Sequence, residues 1–146
     1  MTTLTPSAKC EAFIKGYEKC RLTAYLPTPK DVPTIGWGST GPDVKLGMRW
    51  TQKKADDRFS SDLKLFASAV SSAVNGIATQ NQFDAMVSLA YNIGRSAFAN
   101  STVARKHRAG DYAGAAEAFK LFNKQKGKVL NGLIKRRQAE KEIYES

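Results

Sequence analysis

The stretch "EKCRLTAYLPTPKDVPTIGWGST", residues 18–40, holds the features that decide the fold. Its β-prone pieces are short and are separated by proline and glycine, which is typical of a small hairpin sheet with tight turns. Glu18 opens the stretch, and Asp31 is the next acidic residue. A carboxyl group at a helix end beside a glycine-rich segment is suited to acid–base chemistry on a polymer, because glycine allows close approach. These residues alone leave another interpretation open, in which Glu18 is a solvated helix-end residue and Asp31 forms a turn.

The rest of the chain has a helical pattern. Apolar residues recur every three or four positions before residue 18 and after residue 50, as on the buried face of a helix. Thr5–Pro6 predicts the start of the first helix, Thr79 and Ser101 predict later helix caps, and Gly94 predicts a helix end. The sequence therefore predicts one mostly helical α+β domain over residues 1–146. We expect a small β-hairpin lobe over about residues 18–50 and a helical lobe over 1–17 and 51–146.

The charge indicates an anionic partner. The net charge is +10, which favours nucleic acid, an acidic membrane surface or an anionic wall polymer as the partner. Residues 101–137 contain ten basic residues against Asp111 and Glu117, and we expect them to form a basic patch: Arg105, Lys106, Arg108, Lys120, Lys124, Lys126, Lys128, Lys135, Arg136 and Arg137. A nucleic-acid-binding module would explain this charge but would leave the lobe with Glu18 unexplained. No apolar run reaches the roughly 18 residues of a membrane span, and we expect a chain without a signal peptide to accumulate in the cytoplasm.

Several segments, taken together, resemble one family. "YEKCRLTAY" and "PTIGWGST" resemble the active-site segment of the phage-type lysozymes, the endolysins that cut bacterial peptidoglycan. "NQFDAMVSLAYNIG", "SAFANSTVARKHRAGDYAGAAEAF" and "GLIKRRQAEKEIY" resemble that family's central helix, the segment after it and its closing helix, in the same order. The resemblance implies a lysozyme-like α+β fold with a cleft between the lobes. It also implies cleavage of the bond between N-acetylmuramic acid and N-acetylglucosamine, which lyses the bacterium for phage release.

The resemblance assigns catalytic roles to single residues. Glu18 matches the family's general acid, and Thr34 matches the threonine that positions the attacking water. The family's second acidic position falls on Pro27 when counted from Glu18 and on Thr28 when counted back from Thr34, and neither is acidic. Asp31 is the nearest carboxylate. Either the loop brings Asp31 into the site as a catalytic residue, or the protein works without that carboxylate.

Other positions concern substrate binding. Trp37 could stack on a sugar ring or could instead pack at a lobe junction. Gln82 and Asn92 could bond acetamido or hydroxyl groups at a cleft, or could be solvated. The family's pattern is broken at Lys19, where it has glycine, and at Ser39, where it has histidine.

The expected partners follow from the resemblance and from the charge of the chain. We expect peptidoglycan as substrate, anionic cell-envelope polymers bound through the basic patch, no nucleic acid, no stable membrane insertion and a monomeric protein. No His/Cys cluster has metal-ligand spacing, so neither a metal nor another cofactor is expected, and His107 is expected to be solvated or to cap a helix. The protein should stay in the host cytoplasm until a holin releases it to the periplasm or cell wall. A catalytically inactive wall-binding protein of lysozyme fold is the alternative.

Overall fold

The computed structural model describes residues 4–146 and consists mainly of helices. In chain order the elements are α1 (Ala8–Glu18), β1 (Arg21–Tyr25), β2 (Thr34–Gly36), α2 (Gln52–Ala73), α3 (Gln80–Ile93), α4 (Arg95–Ala99), α5 (Thr102–Arg108), α6 (Tyr112–Ala118), a 3-10 turn (Phe119–Leu121), β3 (Lys124–Gln125), β4 (Lys128–Val129) and α7 (Asn131–Glu145). The predicted mostly helical α+β class with a small hairpin sheet is confirmed. Within residues 4–146, every helix is too short or too polar to cross a membrane.

The chain divides into two compact units. One is Ala12–Lys64, and the other joins the residues up to Glu11 with Leu65–Ser146. We call them the hairpin unit and the helical unit. The predicted lobe of about residues 18–50 lies within the hairpin unit, which also takes in the end of α1 and the first half of α2.

The hairpin unit is built on two antiparallel strands. Arg21 of β1 pairs with Gly36 of β2, and Tyr25 pairs with Thr34, with an irregularity in β1 between the two pairs. A third extended segment joins them, because the Trp50 N–H donates to the Leu22 carbonyl at 2.8 Å. The small core of this unit consists of buried apolar side chains from the strands and the start of α2: Ala24, Ile35, Val44, Trp50 and Ala55.

The helical unit is centred on α3, whose residues from Phe83 to Tyr91 are all buried. Local hydrogen bonds begin this helix, because the Thr79 hydroxyl accepts from the backbone of Gln82 while the Gln82 side chain accepts from the backbone of Thr79. This reciprocal arrangement satisfies two N–H groups that a helix start otherwise leaves unpaired. The helix ends at Gly94, as predicted, with φ +98°. Helix α7 is the element that packs most extensively against α3.

Two local features differ from the sequence-based expectation. Helix α1 begins at Ala8 rather than at Thr5–Pro6, because the Ser7 hydroxyl accepts the Cys10 N–H at 3.1 Å and so supplies the cap. A second hairpin, β3–β4, occupies a stretch for which no strand was predicted. Its turn residues Lys126 and Gly127 have φ of 52° and 80°, and two left-handed residues are what a tight hairpin turn requires.

The predicted basic patch is smaller than the sequence indicated. Arg136 and Arg137 are 4% and 1% exposed, so their place on a surface patch was wrong. Arg137 Nε lies 2.6 Å from Glu140 Oε1, and Arg136 Nε lies 3.3 Å from Glu140 Oε2. The Ser88 hydroxyl also donates to Glu140. Burial raises the pKa of the Glu140 carboxyl, and the guanidinium groups of Arg137 and Arg136 oppose that rise. Helical spacing of three and four residues places both arginines beside this carboxylate.

His107 is a second correction, because it is buried and not solvated. Its side chain is 2% exposed. Nε2 lies 2.7 Å from the Ile77 carbonyl, and Nδ1 lies 2.6 Å from the Tyr144 hydroxyl. A carbonyl can only accept, so Nε2 carries the proton and Nδ1 accepts from the tyrosine. Burial lowers the pKa of His107, and the ring therefore serves as a neutral link inside the helical unit.

Candidate active site

Glu18 is the last residue of α1, and its side chain is partly buried. Lys19 follows with φ +57°, and its N–H donates to the Lys15 carbonyl at 3.2 Å. A left-handed residue at this point ends a helix, and glycine adopts that conformation most easily. This explains why the related pattern has glycine there; a lysine in this conformation costs about 1 kcal/mol. The abrupt helix end fixes where the Glu18 side chain begins.

A tight turn lies beside the Glu18 carboxyl. Ile35 and Ser39 exchange two backbone hydrogen bonds, of 3.0 and 2.8 Å, and so close a three-residue turn between them. The glycines of this turn, Gly36 and Gly38, have φ of +64° and +87°. A Cβ atom placed on Gly38 would lie 3.2 Å from Glu18 Oε1 and 3.4 Å from its Cδ. The carboxyl group is therefore seated on the backbone of Gly38, in space that only glycine leaves open.

Helix α2 holds this turn in place. Trp37 Nε1 donates to Asp56 Oδ1 at 2.8 Å, and the Ser39 hydroxyl donates to Asp62 Oδ2 at 2.8 Å. Arg58 Nε donates to the other oxygen of Asp62 at 2.9 Å. The hydrogen bond from Trp37 lowers the pKa of Asp56. Hydrogen bonds to the carboxylates of Asp56 and Asp62 thus fix the turn under Glu18 to α2. Ser39 is buried and makes one of these bonds, at the position where the family pattern has histidine.

Trp37 is packed among other side chains of the hairpin unit. The Lys15 ammonium lies 5.0 Å from the Trp37 ring centroid and 4.9 Å from that of Phe59. The two rings meet edge to face at 6.4 Å. These contacts give Trp37 a structural role between α1 and α2, and its contact with a sugar ring stays a prediction.

Thr34 and Asp31 lie towards the connection between the two strands. Thr34 is buried at the start of β2, where its hydroxyl donates to the Val32 carbonyl at 3.1 Å. Asp31 Oδ2 accepts from the Thr28 hydroxyl at 2.9 Å, and its N–H donates to the Thr28 carbonyl at 3.0 Å. All three predicted catalytic residues therefore belong to the hairpin unit. Asp31 and Thr34 lie near its connecting loop, and Glu18 contacts the glycine turn beyond the other end of β2.

The remaining predicted site residues, Gln82 and Asn92, lie in the helical unit. Gln82 Oε1 accepts from the Thr79 N–H at 2.9 Å as part of the cap of α3. Asn92 Oδ1 accepts from Arg137 Nη1 at 2.8 Å. Both amides thus have structural partners that the sequence analysis did not foresee. Substrate contact by either amide stays a prediction.

Comparison with known proteins decides the family. A family model described as phage lysozyme matches residues 15–140, which include Glu18, the glycine turn and α3. The chain belongs to the phage lysozyme family. It is 42% identical over 135 residues to the endolysin of Bacillus phage PZA, a match that covers 91% of this chain and 52% of that relative.

Solved structures resemble the phage lysozyme chain over nearly its whole length. The endolysin from Escherichia coli O157:H7 phage FAHEc1 has a TM-score of 0.83 and 40% identity, covering 97% of this chain and 93% of that one. The muramidase domain of SpmX from Asticaccaulis excentricus has a TM-score of 0.86 and 35% identity, covering 97% and 98%. The chain spans about half the length of the PZA endolysin and of several other curated relatives.

Sequence reasoning missed the residues that fix the glycine turn in this phage lysozyme. In the sequence, three charged residues of α2 resemble ordinary positions on an exposed helix face: Asp56, Arg58 and Asp62. The spacing of Arg58 and Asp62, four residues apart, was a readable sign of an ion pair on α2. Nothing local showed that Asp56 and Asp62 also accept hydrogen bonds from the glycine turn.

Proposed function

We propose that this chain is a muramidase that cleaves peptidoglycan between N-acetylmuramic acid and N-acetylglucosamine, with Glu18 as the general acid. The observation that carries the proposal is the close contact of the Glu18 carboxyl with the backbone of Gly38, in a turn that is hydrogen-bonded to α2. A general acid must stay at a fixed distance from the leaving oxygen, and a rigid support supplies that positioning. Membership of the phage lysozyme family and the likeness to a solved muramidase domain support the same activity.

In this proposal Thr34 and Asp31 act on the attacking water and on the sugar, whereas Glu18 acts on the leaving oxygen. The Thr34 hydroxyl proton is committed to the Val32 carbonyl, so its oxygen lone pairs are left to accept from the attacking water. Asp31 orients that water or stabilises positive charge developing on the sugar. Its turn with Thr28 holds the carboxylate in one place.

Binding in this proposal uses Trp37, Gln82 and Asn92, and also the basic residues that remain exposed. Without the two buried arginines, the patch consists of side chains that include Arg105, Arg108, Lys124, Lys126, Lys128 and Lys135. Such a surface concentrates a monomeric enzyme on anionic envelope polymers and weakens with salt. We further propose that the protein stays in the host cytoplasm until a holin gives it access to the wall.

The test is Glu18→Gln, which keeps the size and hydrogen-bonding capacity of the side chain but removes the acidic carboxyl proton that the general acid donates. Lysis of outer-membrane-permeabilised bacteria and release of reducing sugar ends should fall at least about 10²-fold, with an unchanged melting temperature. Glu11→Gln is the matched control, because Glu11 is an exposed residue of the same helix and its loss should leave both rates unchanged.

A folded Glu18→Gln variant with the wild-type rate would reject Glu18 as the acid. Wild-type protein that binds peptidoglycan but releases no reducing ends would instead establish the inactive wall-binding alternative.

A further inference from the structure

Arg58 of α2 donates from all three nitrogen atoms of its side chain within the hairpin unit. Nε donates to Asp62 Oδ1 at 2.9 Å, Nη1 to Asp43 Oδ2 at 2.7 Å and Nη2 to the Thr40 carbonyl at 2.7 Å. A guanidinium group is planar and rigid, so its donors point in fixed directions. The three partners of Arg58 are therefore held in one arrangement relative to α2.

Two of these contacts lead to the glycine turn. Asp62 binds Arg58 through one carboxylate oxygen and accepts from the Ser39 hydroxyl at 2.8 Å through the other. Ser39 is the last residue of the glycine turn, and Thr40 follows it directly. Arg58 thus reaches the turn indirectly through the side chain of Ser39 and directly through the backbone of Thr40. Both routes end within two residues of Gly38.

The guanidinium group lies close against the backbone of Gly41. A Cβ atom placed on Gly41 would lie 3.3 Å from Arg58 Nη2 and 3.0 Å from Asp43 Oδ1. The φ angle of Gly41 is +135°, a conformation that residues with a side chain rarely adopt. The guanidinium carbon also lies 5.7 Å from the centroid of the Trp50 ring, which belongs to the core of the hairpin unit. Arg58 thus bridges that core and the backbone that follows the glycine turn.

The contact of Arg58 with Asp62 is better shielded from water than its contact with Asp43. The side chain of Asp62 is 16% exposed, whereas that of Asp43 is 65% exposed. Water weakens an exposed ion pair, while a shielded carboxylate that loses its cation is strongly disfavoured. Loss of Arg58 should therefore act mainly at Asp62, the residue that holds Ser39.

We propose that Arg58 is a positioning residue for the cleavage reaction, because it holds residues 39–41 against α2 and so sets where Gly38 meets the Glu18 carboxyl. The proposal rests on the proposed muramidase function, in which Glu18 is the general acid. Arg58 acts through the turn and makes no contact with the sugar. Since a misplacement of about 1 Å can cost a factor of about 10² in rate, a shift of the turn by about 0.25–0.5 Å should slow the chemical step about threefold to tenfold.

The first experiment measures kcat and KM of Arg58→Met on soluble peptidoglycan fragments, well below the melting temperature of each variant. Methionine keeps an unbranched apolar stem but has no N–H group. We expect kcat to fall about threefold to tenfold and KM to stay within about twofold, because the loss concerns the placement of the acid and not sugar binding. The control is Lys53→Met, which removes an exposed cation of α2 that pairs with Asp57 at 2.6 Å and should keep both constants.

Arg58→Lys covers the case in which Arg58→Met does not fold. Its ammonium keeps a positive charge beside Asp62 but lacks the planar fork that binds Asp62 and the Thr40 carbonyl together. It should melt near the wild-type temperature and still lose at least about threefold in kcat. A wild-type kcat in Arg58→Lys or in folded Arg58→Met, or a loss confined to KM, would overturn the proposal. A wild type that releases no reducing ends would instead reject the muramidase function itself.

The second experiment follows the turn without relying on catalysis. The N–H groups of Ile35 and Ser39 close the turn, and their exchange with deuterated solvent reports how often it opens. In the folded Arg58 variants both should exchange at least about fivefold faster, also in the Glu18→Gln background, while Lys53→Met should match the wild type. Unchanged exchange in the Arg58 variants would overturn the proposal, since the turn would then not depend on Arg58.

Discussion

Replacing Gly38 by alanine tests whether the contact between Gly38 and the Glu18 carboxyl matters for catalysis. The added Cβ would lie 3.2 Å from Glu18 Oε1, which is closer than most Cβ contacts, and 3.4 Å from Glu18 Cδ. It would also stand on a backbone with φ +87°, where a residue with a side chain is strained. The substitution therefore has two effects, one on the free energy of unfolding and one on the position of the carboxyl.

The two effects have different sizes. The left-handed backbone costs about 1–2 kcal/mol with any side chain, which should lower the melting temperature by about 3–8 °C in a chain of this length. Relief of the contact requires the carboxyl to move by about 0.3 Å. A misplacement of about 1 Å can cost a factor of about 10² in rate, so a shift of this size should slow lysis about fourfold.

A matched control separates these effects. Gly47 has φ +84°, and a Cβ there would meet nothing within 4 Å. Gly47→Ala should therefore show the same loss of melting temperature with no loss of rate. Lysis of permeabilised cells would be measured well below both melting temperatures. Equal rates for Gly38→Ala and Gly47→Ala would refute the idea that the Gly38 contact positions the general acid.

Three further predictions concern buried and turn residues. Nδ1 of neutral His107 accepts from Tyr144 and its pKa is lowered by burial, so the free energy of unfolding should fall by about 1 kcal/mol as the pH drops from 7.5 through 6.5 to 5. Urea denaturation of His107→Gln should lack this loss, and an identical pH profile would contradict the assigned tautomer. Glu140→Gln leaves two buried guanidinium groups without their carboxylate and should cost about 3–5 kcal/mol in the same assay, against no more than about 0.5 kcal/mol for exposed Glu142→Gln; equal values would mean that the network is not stabilising. Asp31→Asn should slow lysis about 10²-fold with an unchanged melting temperature, whereas a normal rate would leave Asp31 as a turn former only.

The parts of the fold that sequence could predict are those encoded within about four residues. Thr79 and Ser101 were read as starts of helices, and each accepts a backbone N–H three residues ahead of it. These hydrogen bonds depend on the local chain alone, so no knowledge of the tertiary structure was needed. Gly94 ended its helix for an equally local reason, its positive φ.

The errors arose where a distant partner decides between two local possibilities. Thr5 and Ser7 are both hydroxyl residues near the start of α1, and the hydroxyl of Ser7 is also bonded to Asp84, 77 positions away. His107 lies in a strongly charged segment, yet its partners Ile77 and Tyr144 are 30 and 37 positions away. The polar neighbours of His107 in the sequence predicted that its side chain would be exposed to solvent. It is buried instead, because residues distant in the sequence pack around it.

The Gly-Trp-Gly run shows how one local signal can serve two separate contacts. A Cβ on Gly36 would lie 3.2 Å from the Trp50 ring and 3.4 Å from Ala55, both in the core of the hairpin unit, whereas a Cβ on Gly38 would meet the carboxyl of Glu18. Sequence reasoning could identify both as turn glycines, because both have the positive φ that a tight turn needs. It could not tell which glycine faces the core and which faces the acid, since that depends on how the turn is fixed to α2 by Asp56 and Asp62. Gly36 thus packs against the core of the hairpin unit, and Trp37 and Ser39 bind the turn to α2. Gly38 is left as the position that contacts the Glu18 carboxyl.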